Sequence, residues 1–201
     1  MKIIVRYLYQ MLPFVILSIP VFFVIRLLIW RQMKRSYPLN FLHETVFLLF
    51  VMFLSGLASI TAIPELEWGM EGLRITNPGG GGINLIPFVV FYDVWIEYFD
   101  RNNISYFFIN FLGNIVMFLP IGFCFPLLWN QMPLKKVILI GFGCSLFIEI
   151  CQLPVARGTD IDDLWLNTLG TLLGFWMYHL TASRWPEFVG RFRPFKVKEK
   201  A

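Results

Sequence analysis

Apolar residues run in five long stretches: Tyr7 to Ile29, Thr45 to Ile63, Asn110 to Leu128, Val137 to Leu153, and Leu164 to Leu180. A helix needs roughly 20 apolar residues to cross about 30 Å of hydrocarbon. The pattern predicts an all-α integral membrane protein, a bundle of about five transmembrane helices forming a single domain over residues 1–201. The second connection, Pro64 to Ser105, is too long for a plain loop and should carry structure of its own. Within it, Asn77 to Gly82 reads as a turn or hinge. The following segment, Phe88 to Phe99, interleaves Phe91, Tyr92, Trp95, Tyr98 and Phe99 with Asp93, Glu97 and Asp100, which predicts an interfacial or re-entrant helix. Packing among these aromatics is the competing explanation.

Composition agrees with lipid as the main solvent. The mean hydropathy is +0.66, and 57% hydrophobic against 15% charged residues leaves too little polar surface to coat a soluble domain. A net charge of +4 does not point to nucleic acid, because the basic residues fall where cytoplasmic loops collect them. Arg31, Lys34 and Arg35 sit in the first connection, Lys135 and Lys136 in the third, and Arg184, Arg191, Arg193, Lys196, Lys198 and Lys200 in a basic tail over residues 184–201. The second and fourth connections are acidic. This alternation predicts an outside N-terminus and a cytoplasmic C-terminus, with Lys2 and Arg6 in weak dissent. The first apolar run resembles a signal peptide but lacks a small-residue cleavage site, so a retained span is expected. Cys124, Cys144 and Cys151 lie inside apolar stretches and read as packing residues.

Polar residues interrupt the spans at helical spacing. Ser145, Glu149 and Gln152 share one helix face, and an ionisable residue such as Glu149 at membrane depth marks a site, a pair or a pathway. Its structural alternative is a bond that fixes helix packing. Asn110 and Asn114 open the third span one turn apart, either as part of a site or as interhelical hydrogen-bond glue. Asp163, Asn167, Gly170 and Gly174 descend one face of the fifth span, and the two glycines form a GxxxG packing seam. Asp160, Asp162 and Asp163 could also cap that helix. With alternating spans these residues converge near the outer leaflet, where a lipid headgroup, an undecaprenyl-linked intermediate or an extracellular amphiphile could bind. The carboxylates could hold a hard cation, but no ordered ligand loop accompanies them, so no metal and no cofactor is expected.

The ordered blocks Asn84 to Phe88, Asn110 to Asn114 with Phe118 to Gly122, Ser145 to Gln152, and Arg157 through Asp160 and Asp163 to Gly170 resemble the VanZ-like family. The resemblance covers a core over residues 84–174, leaving Met1 to Ile63 outside. It implies a multi-pass protein of the bacterial plasma membrane, similar to proteins linked with resistance to teicoplanin-type glycopeptides. It also implies that Asn84, Asn114, Glu149, Gln152, Arg157, Asp160, Asp163 and Asn167 are the positions that carry function. The expected partners are membrane lipids and a lipoglycopeptide or a lipid-linked peptidoglycan precursor. An alternative activity is an intramembrane enzyme acting on an envelope lipid or precursor, with Glu149 as acid or base and Arg157 holding an anion. His43 and His179 lie near the cytoplasmic ends, which excludes a Ser-His-Asp set at the outer end. Transport is disfavoured by the lack of an internal repeat and of paired broken helices.

Overall fold

The computed structural model describes residues 2–32, 40–63, 65–69, 72–76, 82–129, 132–153 and 159–193, with the backbone alone at 2–4, 6, 32, 65–69 and 72–76. The expected Asn77 to Gly82 hinge falls almost wholly outside these residues, and so does Arg157.

Helices α1 (Lys2–Gln32) and α2 (Phe41–Thr61) form an antiparallel hairpin. Asn40 starts α2 by accepting the Leu42 amide at 3.1 Å. Polar residues pin the hairpin at both ends. Gln10 donates to the Ser59 carbonyl at 2.7 Å, and Arg26 donates through Nε to Glu44 Oε2 at 2.7 Å and through Nη2 to Oε1. An arginine inside an apolar run is thus matched by a fork of two charge-assisted bonds.

A short antiparallel ribbon follows, β1 (Glu65–Gly69) against β2 (Gly72–Thr76). Helical periodicity did not indicate it; Leu66 and Trp68, then Leu73 and Ile75, instead alternate with polar or small residues at a period of two. Then come β3 (Ile83–Asn84) and α3 (Val89–Phe99). Helix α4 (Ile104–Tyr106) passes through a π-helical segment, Phe107–Leu112, into α5 (Gly113–Leu128). Helix α6 (Leu134–Gln152) leads to β4 (Thr159–Asp160), α7 (Ile161–Arg184) and the short α8 (Pro186–Gly190).

Each expected span is a helix, and the architecture is nearly all-α, as a membrane helical bundle requires. Tyr7–Arg31, Phe41–Thr61 and Ile104–Leu128 are long and apolar enough to cross a membrane. Helices α6 and α7 are long as well, at 19 and 24 residues. Their composition is more polar, because α6 carries Lys135, Lys136 and Glu149 and α7 carries Asp162, Asp163 and Asn167. Leu8, Leu17, Phe23 and Leu28 on α1 and Leu139, Phe147 and Ile150 on α6 are exposed. Faces of this kind suit hydrocarbon as their neighbour.

The centre of the bundle is the contact between α5 and α7, which run parallel. A Cβ at Gly170 would overlap the Ile115 carbonyl, one at Gly174 the Leu119 carbonyl, and one at Gly122 the Thr171 carbonyl. Only glycine lets two backbones approach this closely. On the next flank Gly141 of α6 gives way to the Thr171 side chain. Phe50, Leu57, Phe118, Ile121, Leu128 and Ile148 fill the space between α2, α5 and α6. Val90, Ile115 and Leu166 join α3 to the α5–α7 pair.

Gly174→Val should destabilise the fold by about 3 kcal/mol or more, because overpacking here meets a backbone carbonyl. Gly143→Ala, where an added Cβ meets nothing within 4 Å, should be neutral or stabilising by up to about 1 kcal/mol. Thermal unfolding in detergent separates the two.

Candidate functional site

The polar side chains collect at one end of the bundle, where α2 and α6 end and α5 and α7 begin. The link that closes this end is the parallel pairing of β3 with β4, which sets Ile83 opposite Thr159 and Asn84 opposite Asp160. It brings the second connection onto the fourth.

Three aspartates at the start of α7 take three separate tasks. Asp160 is the N-cap: its Oδ1 accepts the Asp162 amide at 2.9 Å and the Asn84 side-chain amide at 3.1 Å. Asp162 is 1% exposed and serves a different helix. Its Oδ1 accepts the Phe88 amide at 2.6 Å and the Trp165 indole N–H at 2.7 Å, while Oδ2 accepts the Val90 amide at 2.7 Å. Phe88, the N-cap position of α3, has φ 69° and no side-chain cap of its own. The carboxylate of α7 therefore caps α3 from across the fold and complements the positive end of its dipole. Asp163 turns to α5, where Asn114 donates to its Oδ1 and also to the Asn110 carbonyl at 3.0 Å.

The π-helical segment sets this last contact. Six residues, Phe107–Leu112, are wound at the wider pitch just before Asn114, rotating the asparagine relative to a regular helix. Asn110 itself turns its side chain back on its own helix, donating to the Tyr106 carbonyl at 3.3 Å, and its own carbonyl holds Asn114.

The predicted stripe on α6 divides among three neighbours. Ser145, fully buried, accepts from Asn167 Nδ2 of α7 at 2.9 Å. Glu149, 6% exposed, accepts the Asp160 backbone amide at 3.1 Å through Oε2. Gln152 donates to the Thr61 carbonyl of α2 at 3.1 Å. One helix face thus ties α7, β4 and α2 together. Gly170 and Gly174 lie deeper, in the α5–α7 contact.

Four buried acceptor or hydroxyl atoms remain without a hydrogen-bond partner at this end: Gln10 Oε1, Gln152 Oε1, Thr159 Oγ1 and Asn167 Oδ1. Among the described residues, no group of three or more His, Cys, Asp or Glu could hold a metal ion. The histidines lie at the far end, where His43 Nδ1 meets the Phe192 carbonyl at 2.9 Å and His179 packs on Phe175. Beside the cluster, α3 exposes Phe91, Tyr92, Trp95, Tyr98 and Phe99. Its opposite side forms a groove with Asp93, Ile96, Glu97, Arg101 and Tyr106.

Sequence reasoning did not include Asp162 among the site residues, and it did not identify Thr159. Asp162 offered one local signal, a third acid in the first helical turn, which fits simple capping of α7. Two of its three partners lie 72 and 74 residues away in sequence.

These features define a helical bundle of membrane type with a closed polar end and an aromatic helix at its rim. The model of the family described as VanZ/LLP1 matches residues 41–182, well over half of the 201 residues, and the chain belongs to that family. The match extends beyond the motif blocks at both ends and takes in α2, which the resemblance had left outside. Neither the comparison with curated proteins nor that with solved structures gave a match.

Asp162→Ala removes three hydrogen bonds to a buried carboxylate and should cost about 3 kcal/mol or more. Hydrogen exchange at the Phe88 and Val90 amides should accelerate more than exchange across α5. Equal acceleration throughout would show that Asp162 does not hold α3 in particular.

Proposed function

We propose that this VanZ-family protein is a multi-pass protein of the bacterial plasma membrane that contributes to resistance to teicoplanin-type glycopeptides. It does so by binding the drug or a lipid-linked wall precursor at the outer leaflet. The observation that carries this reading is the one-ended distribution of polar groups. Asn84, Asn114, Glu149, Gln152, Asp160, Asp163 and Asn167 all lie at the end where α5 and α7 begin. Arg26, Arg31, Lys135, Lys136, Arg184, Arg191 and Arg193 lie at the opposite end, the charge bias of a cytoplasmic face. The exposed aromatics of α3 border the polar end, as expected of a surface that meets headgroups and acyl chains together.

Buried carboxylates also support a second reading, an intramembrane enzyme with Glu149 as acid or base. Turnover would change the lipid or precursor pool, whereas binding would not, and mass spectrometry of those pools tells them apart.

Cells expressing the wild-type chain should tolerate more teicoplanin than cells with an empty vector. Glu149→Gln and Arg157→Ala at matched protein levels should reduce that tolerance at least about fourfold, the scale of one hydrogen bond lost to a ligand. Susceptibility that is the same for vector, wild type and both variants would overturn the reading. The orientation has its own check: on intact cells an impermeant thiol reagent should label Asp100→Cys and spare Lys135→Cys, and the reverse pattern would invert the topology.

A further inference from the structure

At the polar end the side-chain amides of Asn114, Gln152, Asn167 and Asn84 turn N–H groups onto neighbouring acceptors, and two of them leave their carbonyl oxygens unpartnered. Both donor contacts of the Asn114 amide go to Asn110 and Asp163. The Gln152 amide N–H faces the Thr61 carbonyl, the Asn167 amide N–H faces Ser145, and the Asn84 amide N–H faces Asp160. Gln10 Oε1, Gln152 Oε1 and Asn167 Oδ1 are left buried and unpartnered, as is the Thr159 hydroxyl, which can donate as well as accept. Asn167 is 4% exposed. Its amide spans the α6–α7 seam one turn below Glu149 and Asp163, since its N–H meets Ser145, four residues before Glu149. Among the described residues no Lys or Arg forms an ion pair with Glu149, Asp160 or Asp163; the ion pairs are Arg26–Glu44 and Arg101–Glu97.

Buried acceptors left without donors are costly, and buried carboxylates that meet no cation among the described residues more so. The missing complement is positively charged and rich in N–H. Phosphate, sulfate and carboxylate groups have the opposite character. We propose that this end of the bundle takes the protonated primary amine of an amphiphile, whose apolar part lies along the exposed aromatics of α3. An ammonium carries one charge and three donors on a compact head, matching the leftover acceptors in kind. The proposal rests on the reading of this end as a ligand site and names the ligand group that the site recognises.

The test uses the purified full chain in a neutral maltoside and three single-chain probes. Dodecylammonium has charge and donors, dodecyltrimethylammonium has charge without donors, and dodecanol lacks charge. Dodecylammonium should bind roughly tenfold more tightly than either of the others, about the worth of one charge-assisted bond. The preference should fall in Glu149→Gln and in Gln152→Met, the second keeping shape in case the first folds poorly. Equal affinity for the two cations, or a preference untouched in both variants, would overturn the proposal. So would a wild type that binds no amine while Arg157→Ala does, since the chain's own guanidinium would then fill the place. Repeating the titration in phosphatidylglycerol nanodiscs with and without phosphatidylethanolamine identifies the source. Competition assigns the amine to a lipid headgroup and its absence to a diffusing amphiphile, and either sustains the proposal. Amine binding without any change in teicoplanin susceptibility would overturn the resistance role and leave the ligand chemistry standing. Resistance without amine preference would do the reverse.

Discussion

The close approach of α5 to α7 is the constraint on which the rest of the structure depends. Between helices in lipid there is little hydrophobic drive to associate, so packing must come from shape and from polar contacts. Gly122, Gly170 and Gly174 let the two backbones meet where any side chain would collide with a carbonyl. Because the helices run parallel from the same end, that contact fixes their relative depth. Asn114 then arrives beside Asp163, and a slip of one turn would leave both without each other. Gly141 and Thr171 extend the same logic to α6, setting Ser145 against Asn167 one level deeper.

On this frame the start of α7 acts as a distributor. A helix turns about 100° per residue, so neighbouring aspartates must face apart. Asp160 closes its own helix and holds the β3 strand through Asn84, Asp162 reaches the first amides of α3, and Asp163 meets α5. The aromatic helix at the rim is thereby tied to the residues that make up the polar end. Asp162 lies between Asp160 and Asp163, two residues of the candidate ligand site.

The opposite end is built with equal economy but contrary charge. Asn40 both caps α2 and donates to the Arg191 and Arg193 carbonyls, at 2.7 and 3.0 Å, so the chain after α7 folds back on the start of α2. Arg26, embedded in the first apolar run, is neutralised by Glu44 rather than left to lipid. The two ends thus differ in kind. One gathers the cations and pairs Arg26 with Glu44, and the other buries carboxylates and leaves acceptors open.

The helices, their order and the one-sided gathering of polar residues were determined by the sequence alone. Runs of about 20 apolar residues and i, i+4 spacing are local properties, and alternation of spans carries them to depth. The GxxxG seam on α7 was legible for the same reason, though not its partner, since which carbonyls Gly170 and Gly174 would meet depends on another helix. Only the tertiary structure decided the division of labour among residues that look alike in sequence. Glu149 bonds to the Asp160 backbone, Asp162 caps a helix more than 70 residues away, and the stripe of Ser145, Glu149 and Gln152 splits among three neighbours. The β1–β2 ribbon left only a short period-two alternation on each strand, and the β3–β4 pairing was hidden because two residues carry too little periodicity to register. Short-range patterning specifies which groups must leave water. Long-range hydrogen bonding, satisfied once the helices have closed, determines where each of them goes.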